Sequence, residues 1–143
     1  MSITIFYFIN VIFLTICSSF FVGTKGMYIR RTIVNIPLSL FNDAVIPINR
    51  NEEIDPHFDL YRVEENVNNY LIKSLKNSCD KYLIDFFPYK EEIVDDKTNY
   101  YIDLSDEIKN IQIHFNCNYF VTFNIDTYVR VSINQKGVIK DEF

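Results

Sequence analysis

Residues 111–133 read IQIHFNCNYFVTFNIDTYVRVSI, in which Ile111, Ile113, Phe115, Cys117, Tyr119, Val121, Phe123, Ile125, Val129, Val131 and Ile133 all fall on odd positions. Between them fall Gln112, His114, Asn116, Asn118, Thr122, Asn124, Asp126, Arg130 and Ser132. A period of two is the pleat of a strand with one buried and one wet face. One strand of that length is unusual, so the stretch predicts two antiparallel strands, broken near NCN at 116–118 or NID at 124–126. Upstream, KYLIDFFPY at 81–89 predicts a partner strand from Lys81 to Phe87, stopped by Pro88. KEEIVDDKTN at 90–99 then reads as a charged loop.

A sheet with one apolar face needs a cover, and the segment from Asp59 supplies it. Leu60, Val63, Val67, Tyr70, Leu71 and Leu75 form one stripe, with Arg62, Glu65, Asn66, Asn69, Lys73 and Lys76 opposite. Asp59 is placed to cap this helix, which should finish between Asn77 and Cys79. The fold class is therefore α+β, a surface helix packed on a small antiparallel sheet, over residues 59–143.

Working further outward, NRNEEIDPHFD at 49–59 reads as an acidic linker spanning 49–58. Glu52, Glu53, Asp55 and Asp59 are expected as solvated turn residues feeding negative charge to the helix start, and His57 as a surface residue. Before the linker, Ile29, Ile33, Ile36, Leu40, Ala44 and Val45 recur at helical spacing. They predict a juxtamembrane helix over 24–48, reaching about Val45, bent at Pro37 and ended by Pro47.

The chain opens MSITIFYFINVIFLTICSSFFVGTKGMYIRR, and residues 3–22 carry no side-chain charge. Twenty residues at about 1.5 Å each cross a hydrocarbon core of about 30 Å. A signal peptide needs a basic leader, a shorter apolar run and a small-residue cleavage site. Here cleavage after Ser19 is the weak option, and Ile16 sits where a lipoprotein box before Cys17 requires a small residue. The apolar texture continues past GTKG, and Lys25, Arg30 and Arg31 follow the run as membrane-interface basic residues. An uncleaved anchor over residues 1–23 is the favoured reading, with membrane lipid as its partner through residues 3–22. The positive-inside rule alone would keep the basic side cytoplasmic.

Composition excludes several classes. With 14 Lys and Arg against 19 Asp and Glu, the net charge of −5 argues against nucleic acid as a partner. Gly23, Gly26 and Gly137 are the only glycines, too few for a phosphate-cradling loop. The acidic pairs Glu91 with Glu92 and Asp95 with Asp96 lack calcium-loop spacing, and the cysteines lack zinc spacing. His114 and Cys117 fall on opposite faces of one predicted strand, so no nucleophile and base pair arises. No catalytic, cofactor or metal residue is assigned, and an enzyme is not expected. Tyr61, Tyr82, Tyr89, Tyr100, Tyr101, Tyr119 and Tyr128 offer an aromatic contact surface, although strand positions such as Tyr119 belong more naturally to a core. Cys79 and Cys117 can bridge if the domain folds in an oxidising compartment, buried free thiols being the alternative.

An apolar helix running on as MYIRRTIVNIPLSLFNDAVIPI, then FDLYRVEENVNNYLIKSL as a surface helix and a carboxyl-terminal sheet, resembles the TadE-like minor pilins. It also resembles related pilin-like membrane proteins of Firmicutes and Mollicutes relatives. The resemblance implies a single-pass, non-enzymatic component of a cell-surface or secretion assembly, with protein partners and an extracytoplasmic domain. Two other readings remain open. One is a secreted α+β protein with its first nineteen or so residues removed, and the other is a small accessory subunit of a larger membrane complex.

Overall fold

The computed structural model describes residues 2–46, 55–134 and 139–142. Helices α1 (Ser2–Val34) and α2 (Ser39–Asn42) are followed by short strands β1 (Val45–Ile46) and β2 (His57–Phe58) and by helix α3 (Leu60–Leu75). Strands β3 (Lys81–Val94), β4 (Lys97–Ile102), β5 (Asn110–Tyr119), β6 (Phe123–Ile133) and β7 (Ile139–Glu142) complete the chain. The last five form an antiparallel sheet in the order β4-β3-β5-β6-β7, and β1 pairs with β2 separately.

The alternation sets the register. Ile113 pairs with Val129 and Cys117 with Ile125, so Ile111, Phe115, Val131 and Ile133 share their buried face. Opposite partners from β3 are Ile84 and Phe86, across from Phe115 and Ile113. The α+β architecture is as the sequence predicts, but the cover is two helices thick. Val63, Val67, Leu71 and Leu75 of α3 are buried, and so are Ile29 and Ile33 in the second half of α1. Tyr28 donates its hydroxyl to the Ser74 carbonyl at 3.2 Å and ties the helices together.

Several local expectations change. The first helix is interrupted around Pro37, as that residue requires, yet helical structure ends at Asn42 and Val45 enters a strand. The reason lies in pairing: Val45 and Ile46 find backbone partners in Phe58 and His57, and Asp59 donates its amide to the Ala44 carbonyl at 2.8 Å. His57 is thereby buried, not a surface residue, and its Nδ1 lies 3.0 Å from the Asp55 carbonyl. Asp55 itself meets Lys109 at 2.9 Å. Asp59 occupies the cap position of α3 without a side-chain cap bond, its carboxylate lying 3.5 Å from Arg62. The Pro47 terminator and the linker acids Glu52 and Glu53 lie outside the described residues.

Pro88 does not stop β3. It pairs opposite Ile111 as the last residue joined to β5, and from Tyr89 onward the strand pairs with β4 instead. A proline lacks one donor, which is tolerated where a strand changes partners, and its carbonyl accepts from the Asp103 amide at 2.9 Å. The expected charged loop at 90–99 is consequently a hairpin. Its two-residue turn, Asp95 and Asp96, has both residues left-handed, at φ 51° and 60°. That geometry belongs to tight hairpins, and aspartate tolerates it better than most residues. The β5–β6 break falls at residues 120–122, between the two predicted places, with Phe120 at φ 47° and Val121 at φ 65°.

Candidate functional site

The surface with the clearest functional character is α1 and what gathers at its lower end. Residues 2–42 include a helix long and apolar enough to cross a membrane. Its first part is apolar on every side and covered by nothing: Ile3, Phe6, Phe8, Phe13, Phe20 and Phe21 are all exposed. A helix apolar all round belongs either in a protein core or in lipid. Three of its polar side chains bond back within the helix. Asn10 donates to the Phe6 carbonyl at 2.8 Å, Thr15 to Val11 at 2.8 Å, and Ser19 to Thr15 at 2.9 Å. Back-bonding of this kind engages side-chain donors without a partner outside the helix.

The second half of the same helix meets a different environment. Gly26 lies close against the sheet, since a Cβ there would lie 2.7 Å from the Tyr119 hydroxyl oxygen. Ile29 and Ile33 then enter the core. The three basic residues do not form one cluster. Lys25 is half-buried, with its ammonium 4.3 Å from the Phe120 ring centroid, and Arg30 and Arg31 are exposed further along. At 3.6 residues per turn they stand on different sides of the helix, which spreads positive charge around it.

Cys79 and Cys117 are joined in a disulfide, Cα atoms 5.7 Å apart, which clips the segment after α3 to the last turn-proximal residues of β5. Closing a loop of 38 residues contributes about 4 kcal/mol in the chain-entropy account. The next residue, Asp80, accepts the Val121 amide at 2.9 Å through Oδ2 and donates its own amide to the Asn118 carbonyl at 2.7 Å. The bridge thus steadies the base of the β5–β6 turn. Cys17 is a free thiol on the apolar helix.

The sheet's other face is a polar lattice. Asn124 donates to Asn116 at 2.8 Å and to Asn118 at 2.6 Å, and His114 contacts Asp126. His114 and Cys117 therefore have separate partners on opposite faces. Of the tyrosines singled out, three gather at one guanidinium: Arg130 lies 4.7 Å from the Tyr100 ring, 5.3 Å from Tyr128 and 5.8 Å from Tyr89. Tyr119 belongs to the core, while Tyr61, Tyr82 and Tyr101 remain exposed.

One charged cleft of about 400 Å³ lies between Lys90, Asp103, Ser105, Glu107 and Lys109. Burial opposes ionisation of Asp103, but hydrogen bonds from the Ser105 hydroxyl and amide, at 2.6 and 2.9 Å, and from Lys90 outweigh it. Its carboxyl is held below the usual range, with Lys90 3.4 Å away. Asp103, Ser105 and Lys90 form a loop clasp. Among the described residues no cluster of His, Cys, Asp or Glu has the arrangement of a metal site.

Sequence reasoning missed the role of Asp80 and the apolar turn at 120–123. The available signal was Val121 and Phe123 lying where a hairpin turn normally carries polar residues. No protein-family model, curated protein or solved structure matches the chain.

Proposed function

We propose that the protein is a non-enzymatic, single-pass membrane protein whose carboxyl-terminal domain stands outside the cytoplasm as a component of a pilin-like surface or secretion assembly. One observation carries the reading: α1 is a continuous helix from Ser2 to Val34, uncovered and apolar in its first part and built into the domain core in its second. A rigid joint of this kind fixes the domain at the membrane surface, where its outer sheet face and the β3–β4 ribbon are available to partner proteins. In support of an anchor over a cleaved leader, α1 runs without a break through Ser19 into the part of the helix that packs in the domain.

Support for the extracytoplasmic side comes from the Cys79 to Cys117 disulfide, since such bridges persist in oxidising compartments. The basic residues after the span weigh the other way under the positive-inside rule, so side is a matter for direct measurement. In a Cys17→Ser background, Leu104→Cys places one thiol at a position 92% exposed. Reaction with a membrane-impermeant maleimide in intact cells is the expected result. Reaction only after the cells are opened would assign the domain to the cytoplasm, as the accessory-subunit reading requires.

A further inference from the structure

We infer that the β5–β6 turn is a second membrane contact, in which Phe120, Val121 and Phe123 enter the hydrocarbon edge of the bilayer beside α1. The inference rests on the reading of α1 as a bilayer span and adds where the domain touches the lipid.

Three observations converge on it. The turn is apolar and uncovered, with Val121 87% exposed and both phenylalanines 43% exposed. A hairpin turn in water normally carries glycine, asparagine or aspartate. Here two bulky apolar residues hold left-handed backbone, at a cost of about 1 to 2 kcal/mol each. Backbone strain of that size persists only where surrounding structure enforces it, and the Asp80 carboxylate does so through the Val121 amide.

Depth is the second observation. Phe120 shares a shallow cleft with Ser18, Phe21 and Val22, and Phe123 shares one with Val11, Leu14, Thr15, Ser19 and Val22. Val22 ends the apolar run, and Ser18 lies about 6 Å further in along the helix axis. The turn therefore reaches the zone about 5 to 10 Å deep where interfacial apolar groups sit. The apolar surface of the turn is continuous with that of the span.

Charge is the third. Lys25 lies one turn beyond Val22 with its ammonium over the Phe120 ring, a cation–π contact that puts positive charge beside the turn at the level where headgroup phosphates lie. No acidic side chain lies within residues 118–125. The Asp80 carboxylate at the base is occupied by the Val121 amide.

The chain contains no tryptophan, so one introduced residue is an unambiguous fluorescent reporter. The full chain is reconstituted in phosphatidylcholine vesicles as Phe123→Trp, with Phe120→Trp as a second position should the first fail to fold. Phe13→Trp reports the span, and Ile93→Trp on the distal ribbon reports water. The expected result is blue-shifted emission at position 123 or 120, most of it lost when the lipids carry bromine on the acyl chains near the headgroup, as Ile93→Trp keeps its red-shifted, unquenched emission. Unquenched emission at 120 and 123 alongside a quenched Phe13→Trp would overturn the inference and leave the span standing. Blue-shifted emission without bromolipid quenching would put the turn against protein and equally overturn it. Absence of quenching at position 13 would instead remove the span on which the inference rests.

Discussion

The β3–β4 and β5–β6 turns use the same unusual backbone for opposite purposes. Each holds two successive residues at positive φ, Asp95 and Asp96 in one, Phe120 and Val121 in the other. Aspartate accepts that conformation readily and keeps its carboxylate in water. Phenylalanine and valine accept it poorly and expose apolar surface. Left-handed backbone carried by opposite chemistry, in a two-residue loop at one end and a three-residue loop at the other, fits ends of the domain that face different surroundings, one wet and one beside the apolar helix. The sheet carries that polarity along its length, from the charged clasp at Asp103 to the aromatic contacts at Tyr119 and Phe123.

The strongest way to disturb the contrast is at the disulfide. Replacing Cys79 and Cys117 by serine should lower stability by about 4 kcal/mol in denaturant titrations. Hydrogen exchange should then rise around residues 118–123, above Asp80, more than around Asp95 and Asp96. Equal loosening at both turns would show that the bridge supports the sheet as a whole and not the apolar end.

Next in size is Ile33→Ala, at a fully buried position where α1 joins the domain. Deleting that side chain should cost about 3 kcal/mol, read from the midpoint of detergent-solubilised protein in urea. A loss under about 0.5 kcal/mol would mean that the second half of α1 is not integral to the core.

Asp103→Asn probes the wet end. Its folded-state pKa is depressed, so its contribution is complete above the ordinary carboxylate range and fades as pH falls through the lowered value. The variant should be about 1 to 2 kcal/mol less stable at neutral pH, with the gap closing in acid. A gap independent of pH would contradict an ionised, hydrogen-bonded Asp103.

The smallest effect compares the turns themselves. Val121→Gly removes strain of about 1 to 2 kcal/mol and adds about 0.5 to 1 kcal/mol of backbone entropy cost, for a modest net gain in detergent. Asp95→Gly should stay within about 0.5 kcal/mol of the parent. Equal responses would erase the distinction drawn between the two turns.

Much of this organisation was legible from periodicity. The alternation from Ile111 to Ile133 is a strand signal because one face is buried, and the Val63, Val67, Leu71, Leu75 spacing is a helix signal for the same reason. Legibility failed where burial on one face gives no period. Residues 90–94 of β3 and every residue of β4 are exposed, so KEEIVDDKTN carries no alternation and resembles a loop, although backbone pairing makes it a hairpin. Pro88 reads as a stop because sequence does not reveal that β3 changes partners there. His57 is buried by a two-residue pairing with Ile46, a contact set by tertiary structure. The apolar stripe of Ile29 and Ile33 was visible, but its destination against the sheet was not.

Whether α1 stays with the domain separates a membrane anchor from a discarded leader. Amino-terminal sequencing of the protein recovered from membranes of the cells that make it tests this most directly. A mature chain that still contains residues 3–22 is the predicted result. A mature chain beginning at Phe20 would contradict it and make the protein a secreted domain whose leader is discarded.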